Sequence, residues 1–351
     1  MKKPVAIELA KKQKEISVAE FFEKNRHLLG FDNKKKALLT TVKEAVDNAL
    51  DACEEAGILP EVIVEVIDME PNNSKKHISG GRYRIIVEDN GPGILKEQVP
   101  NIFAKLLYGS KFHRLKESRG QQGIGISAAA LYAQLTTGKP IKILSKISPK
   151  HKAHYFELKI DTKRNQPVVL KDEVVEWKKE HGTRIELDIE GIYQRGMQSV
   201  DSYIKQTAIV NPHLTIIYTN PLAEQFIFTR VSDKLPKEPK EIKPHPHGVE
   251  LGRLFSMLHE TKARTLVGFL MNEFCRVGQE TAKEICRNAA LLPDSNPREL
   301  SREAAEKLYK GIQKTKLMAP PTDCITPIGA ELLEKSLRKE IKAEFYYAVT
   351  R

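Results

Sequence analysis

Three glycines stand within six positions in Arg119-Gly120-Gln121-Gln122-Gly123-Ile124-Gly125-Ile126-Ser127-Ala128-Ala129-Ala130, and a helix-compatible run from Ile126 to Gln134 follows. That order narrows the folds open to the chain. Glycine admits backbone angles and close approaches that a Cβ blocks. A helix start behind such a turn offers free N–H groups to an anion. A Rossmann unit would place the glycines between a strand and a helix, whereas here they follow a helical and loop region. A Walker A loop would follow its glycines with Lys-Ser/Thr, and Gly125-Ile126-Ser127 has no lysine. The stretch is therefore a candidate phosphate loop of another class. Two upstream groups accompany it: Glu44 with Asn48, and Asp89-Asn90-Gly91-Pro92-Gly93.

The elements around these groups can be read from pattern. Residues 1–16 form a lysine-rich arm, and Ser17-Val18-Ala19-Glu20 has the spacing of a capping box. A helix opening at Asn33 or just after it carries Leu38, Leu39, Val42, Ala45, Val46, Ala49 and Leu50 at helical spacings. Glu44 and Asn48 lie four apart and so share one face, as Asp47 and Asp51 do one position round. A solvated acidic face is the plain explanation of such residues, and a ligand-binding face is the other. Strands are predicted over Val62–Met69 and Tyr83–Glu88, with a hairpin-like loop at 70–81 between them. Asp89 sits where the second strand runs into a glycine turn, as an Asx-turn residue or as an acceptor for a purine amine.

Val99–Leu107 reads as helical, and Tyr108-Gly109-Ser110-Lys111-Phe112 as polar loop. Lys111 is either a mobile cation for a phosphate or one of 57 basic residues with no particular task. Strand patterns follow at Ile141–Ile147, Ala153–Ile160, Pro167–Val175 and Gly182–Ile189. Then come a helix over Arg195–Asn211 and a strand pair, Thr215–Tyr218 with Gln225–Thr229. Residues 17–230 thus predict two layers, a mixed sheet against helices. A linker rich in proline and charge, Lys234 to Gly248, separates them from an all-helical block at Val249–His259, Val267–Asn272, Thr281–Ala290 and Ser301–Lys314. Residues 316–330 are loop-like, Glu331–Ile341 is a basic helix, and Glu344–Val349 alternates like a strand.

Composition excludes little but adds direction. A net charge of +11 suits a polyanionic partner, although a soluble protein of a basic proteome would show the same balance. No apolar run approaches the length of a membrane span or a signal peptide, so a cytoplasmic chain without a membrane partner is the expectation. Cys53, Cys275, Cys286 and Cys324 are too scattered for a disulfide framework or a Cys-x-x-Cys metal knuckle.

A nucleoside triphosphate site needs contacts for phosphates, oxygen ligands for Mg²⁺, an acceptor for the base and a group to position water. Gly120 to Ser127 offers amides, Asn48 a neutral oxygen, Asp89 an acceptor, and Glu44 a carboxylate one helical turn from Asn48. Glu44-x-x-x-Asn48, Asp89-x-Gly91-x-Gly93, the loop with Gly123-Ile124-Gly125, and Gly182-Thr183 together resemble the four motifs of the Bergerat-type ATPases. That family includes gyrase B, Hsp90, MutL and sensor histidine kinases. Glu44 through Ala52, Tyr108 through Phe112, Arg119 through Ile126, and Lys243 through Gly248 leading into a helical block resemble more specifically the B subunits of type IIB DNA topoisomerases (topoisomerase VI). The likeness runs from about residue 17 to the end.

The resemblance implies an α+β fold: a two-layer Bergerat-type ATPase sandwich followed by an all-helical domain. It implies an arm at 1–16, the ATP-binding domain at 17–230, a helix–two-turn–helix domain at 231–315, and a linker with the start of a transducer domain at 316–351. By it, Glu44 activates water, Asn48 ligates Mg²⁺, and Asp89, with Gly91, Gly93 and Thr183, serves the adenine end. Ser110, Lys111 and the stretch Gly120, Gln121, Gln122, Gly123, Ile124, Gly125, Ile126 and Ser127 would hold ribose and phosphates. The implied cofactors are ATP and Mg²⁺. The implied partners are a DNA-cleaving A subunit, duplex DNA and a second B subunit on ATP binding, in an A2B2 assembly associated with the nucleoid. The implied activity is ATP-dependent DNA relaxation and decatenation. A MutL-like or chaperone-type ATPase clamp, and a non-enzymatic nucleic-acid adaptor, are the other readings.

Overall fold

The computed structural model describes residues 15–73, 79–109, 115–119 and 123–349. It divides into two units, one of residues 1–112, 118–236 and 327–351, the other of 113–117 and 237–326. Among the described residues, the first unit begins with helix α1 (Val18–Lys24), whose cap Ser17 accepts the Glu20 amide through its hydroxyl. Helix α2 (Lys34–Glu55) is capped by the Asn33 side chain, and buries Leu38, Val42, Ala45, Val46, Ala49 and Leu50 along one stripe. Strands β1 (Glu61–Asp68) and β2 (Gly81–Glu88) follow as antiparallel neighbours. Then come short α3 (Val99–Ala104) and the glycine-opened α4 (Gly125–Thr137). Strands β3 (Ile141–Lys146), β4 (Ala153–Asp161), β5 (Gln166–Val175) and β6 (Gly182–Gly191) lead to α5 (Val200–Val210), β7 (Thr215–Thr219) and β8 (Gln225–Phe228).

All eight strands form one sheet in the order β5-β4-β3-β6-β2-β1-β7-β8. Among the described residues only the β1–β7 pair is parallel, so the sheet is mixed. Alternation decides which face is covered. Val62, Val64 and Val66 of β1, and Ile185, Leu187 and Ile189 of β6, are buried, with their neighbours in sequence less so. They share one core with the stripe of α2 and the alanine-rich α4. The arrangement is the α+β two-layer sandwich implied by the pattern.

Two elements differ from the sequence reading. Helix α5 begins at Val200 rather than Arg195, because Gly196 and Gln198 have left-handed backbones at φ +104° and +58° and Ser199 supplies the cap. Glu344–Val349 forms no strand among the described residues. Phe345, Tyr347 and Val349 alternate as a strand would, yet all are exposed, and a strand without a neighbour has no ladder to hold it.

The second unit holds α6 (Leu251–Glu260), α7 (Leu266–Glu273), α8 (Gln279–Ala289) and α9 (Arg302–Lys314). Its core of Leu258, Leu266, Phe269, Ile285 and Leu308 is separate from that of the sheet unit. Helix α10 (Ala330–Glu340) returns to the sheet unit, where the Lys339 ammonium donates to the carbonyl and hydroxyl of Thr229.

Candidate active site

The stripe that buries α2 in the core leaves Glu44 and Asn48 on another face, and there they line a cavity of about 750 Å³. Asp89, Gly93, Thr183 and the run Gly123–Ile126 line the same cavity. Residues spread over more than a hundred positions thus meet because α2, the end of β2, the start of α4 and the start of β6 converge.

At one end, Asp89 is held from behind. Its Oδ1 accepts the amide N–H of Gly91 at 2.7 Å and of Thr183 at 3.1 Å, and its own amide donates to the Thr183 carbonyl at 2.9 Å. Oδ2 has no partner among the described residues and is the oxygen available to a ligand. Burial pushes the carboxyl up to about 6, against the pull of the two amides and of Lys179. Two glycines make the approach possible. A Cβ on Gly182, at φ +139°, would stand 2.2 Å from the Asp89 carbonyl oxygen, and one on Gly93 would stand 2.1 Å from that of Lys146. The Thr183 hydroxyl lies 3.3 Å from that of Ser145.

At the other end, Gly125 opens α4 directly against Glu44: a Cβ there would lie 1.8 Å from Glu44 Oε2. The helix start has no side-chain cap among the described residues, which leaves its first amides without such a partner, and Gly125 and Ile126 line the cavity beside Glu44. Burial raises the Glu44 carboxyl above its ordinary range, Lys43 at 3.9 Å draws it back, and Asp47 adds to the rise. Asn48 is exposed, and its side chain makes no hydrogen bond among the described residues. Two expected residues stand back from the cavity. Gly91 serves through its amide on Asp89, and Ser127 is buried with its hydroxyl donated to the Ile124 carbonyl at 2.9 Å. Ser110, Lys111, Gly120, Gln121 and Gln122 lie outside the described residues.

The neighbouring acids sort themselves by partner. Asp47 turns away, accepting the Tyr203 hydroxyl at 2.9 Å and pairing with Lys43 at 3.1 Å. Asp51 lines the cavity together with Arg119, and the two are paired at 3.0 Å. The sequence reading assigned neither a role. Asp51 had a signal, since it continues the Glu44–Asn48 face by one helical turn; Arg119 had only its place before the glycines.

The cavity is of a size that takes a nucleotide. Its donors fit magnesium held mainly by phosphates and water: Asn48 contributes a neutral oxygen, and no cluster of three or more His, Cys, Asp or Glu side chains suited to a metal occurs among the described residues. Among them also, no helix is long and apolar enough to cross a membrane.

Residues 33–190 match the family of histidine kinase-, DNA gyrase B- and HSP90-like ATPases. The chain is 54% identical over 352 residues to the B subunit of type 2 DNA topoisomerase 6 from Methanosarcina mazei, covering 100% of this chain and 55% of that protein. The corresponding protein of Archaeoglobus fulgidus is 51% identical over 341 residues, covering 97% of this chain and 55% of that protein. Over 279 residues, 80% of this chain and 34% of the relative, identity to the Natronomonas pharaonis counterpart is 55%. The chain spans about half the length of the curated relatives it matches first. Because the likeness continues past the ATPase segment through the helical unit, the chain belongs to the family of type 2 DNA topoisomerase 6 B subunits.

Proposed function

We propose that this chain binds and hydrolyses ATP with Mg²⁺, and that in its full setting it is the ATPase part of a type IIB DNA topoisomerase. The observation that carries the reading is the convergence of Glu44, Asn48, Asp89 and Gly123–Ile126 on one cavity. Asp89 Oδ2 accepts the exocyclic amine of adenine, with Gly91 and Thr183 holding the carboxylate and Gly93 allowing close approach. The amides at the start of α4 meet the phosphates, as a helix N-terminus is suited to do. Ser110, Lys111 and Gly120 to Gln122 complete the ribose and phosphate contacts in this reading, while Ser127, its hydroxyl turned to the Ile124 carbonyl, would add only its amide. Asn48 is the protein's ligand to magnesium, which when bound would neutralise phosphate charge. Glu44, its carboxyl raised by burial, orients the attacking water and takes its proton.

ATP binding would pair two such chains, in an A2B2 assembly with a DNA-cleaving A subunit, so that one duplex passes through another with relaxation or decatenation. The basic balance of the chain supports a DNA partner, and with that partner the chain would be cytoplasmic and nucleoid-associated. In the same reading 17–230 is the ATP-binding domain, 231–315 a helix–two-turn–helix domain, and 316–351 a linker with the start of a transducer.

Calorimetric titration with a non-hydrolysable ATP analogue, with and without magnesium, tests the core of this. Magnesium-dependent binding is the expected result. The Glu44→Ala variant keeps that binding and loses hydrolysis, while Asn48→Ala loses the magnesium dependence. A wild-type chain that does not bind the analogue would overturn the reading.

A further inference from the structure

Arg119 is a cation at the edge of a glycine-rich loop and lines the cavity, a place from which it could serve the phosphates. Its donors go elsewhere. Nη1 donates to Asp51 Oδ1 at 3.0 Å and to Glu54 Oε2 at 2.8 Å; Nη2 donates to Glu54 Oε1 at 2.9 Å and to Asn211 Oδ1 at 2.6 Å. The Glu54 contact is a bidentate fork. Glu54 is fixed in turn by His213, whose Nε2 lies 2.7 Å from Oε1, and Asn211 donates its amide to the Thr207 carbonyl at the end of α5. His213 and Asn211 are buried, as is Asp51. Burial would raise the Glu54 carboxyl, yet the bonds from His213 and Arg119 bring it down to about 2, as expected of a carboxylate that accepts several hydrogen bonds, a guanidinium's among them.

Two facts give this cluster a bearing on the site. Asp51 and Glu54 stand on α2, one and two turns beyond Asn48, so the helix that carries Glu44 and Asn48 also holds Arg119. Arg119 is covalently four residues from Gly123, where the cavity-lining run to α4 begins. We infer that Arg119 is a positioning residue: its guanidinium fastens the chain before the glycine loop to the helix of Glu44 and Asn48, and does not itself bind phosphate. This rests on the reading of the cavity as an ATP site. It separates geometry from charge, because a lysine keeps the cation but cannot make the fork.

The test is calorimetric titration of Arg119→Lys, Arg119→Ala, Glu54→Gln and the Arg119→Ala/Glu54→Gln pair with a non-hydrolysable ATP analogue and magnesium. Adenosine binding is followed in parallel by ligand-observed NMR, and thermal unfolding checks the fold. Arg119→Lys and Glu54→Gln should each weaken the analogue about tenfold, and the double variant little further than Arg119→Ala alone. Adenosine, which needs only the Asp89 end, should bind each variant within about twofold of wild type. Wild-type analogue affinity in Arg119→Lys would overturn the inference by showing that a cation suffices. So would wild-type affinity in Glu54→Gln beside a loss in Arg119→Ala, since Arg119 would then act on phosphate directly. Equal losses for adenosine and analogue would also overturn it, as damage to the whole cavity. Failure of the unaltered chain to bind the analogue would instead sink the functional reading.

Discussion

Asp89 and Gly125 are each constrained by atoms close enough to count. Burial holds the Asp89 carboxyl at about 6, well above its ordinary 3.8. Between those values the folded chain keeps a proton that the unfolded chain releases. Ionising Asp89 therefore costs stability as pH rises through that window, and the cost is complete above 6. Ligand binding runs the other way, because an amine needs an unprotonated acceptor. Affinity for an ATP analogue should fall as pH drops through 6, and Asp89→Asn should bind weakly with no inflection there; titrations on either side of pH 6 measure it. For Gly125 the constraint is steric. In Gly125→Ala the methyl would stand 1.8 Å from Glu44 Oε2, so the carboxylate or the helix start must move. A displacement of about 1 Å at a reacting group costs on the order of a hundredfold in rate, and steady-state ATPase assays should show that loss in a protein whose circular dichroism is unchanged.

Elements were legible where their periodicity was long and their caps were chemical. Asn33 and the apolar stripe of α2 announced that helix, and the alternation of Val62, Val64 and Val66 announced β1. The start of α5 was hidden because Gln198 is a residue a helix accepts, and nothing in the sequence marks its left-handed backbone; Ser199 marked the true cap. The alternation of Phe345, Tyr347 and Val349 misled for the opposite reason, since a strand is a property of two segments and pattern reports one. At the site, Glu44, Asn48 and Asp89 could be found from spacing and turns. Arg119 could not, because its fork depends on Glu54 and Asn211, which no local pattern joins to it. In the helical unit, α8 and α9 approach closely at Gly311, where a Cβ would lie 2.7 Å from that of Ala289 and 2.9 Å from the Ile285 carbonyl oxygen. Gly311→Ala overpacks that crossing and should destabilise the unit by about 1–3 kcal/mol, a fall in melting temperature that calorimetry resolves.

At the scale of the chain, two cores with no shared members predict that unfolding is not a single two-state event. The cavity belongs wholly to the sheet unit, so ligand binding can be coupled to one core and not the other. A ligand that binds only the folded form adds RT ln(1 + [L]/Kd), about 2.7 kcal/mol at a hundredfold excess over Kd. Scanning calorimetry of the intact chain should therefore show two components, with a saturating magnesium–ATP analogue raising the one that belongs to the sheet unit. Gly311→Ala should lower the other and leave the ligand-sensitive component in place. A single transition that both perturbations move together would mean that the two units unfold as one cooperative body.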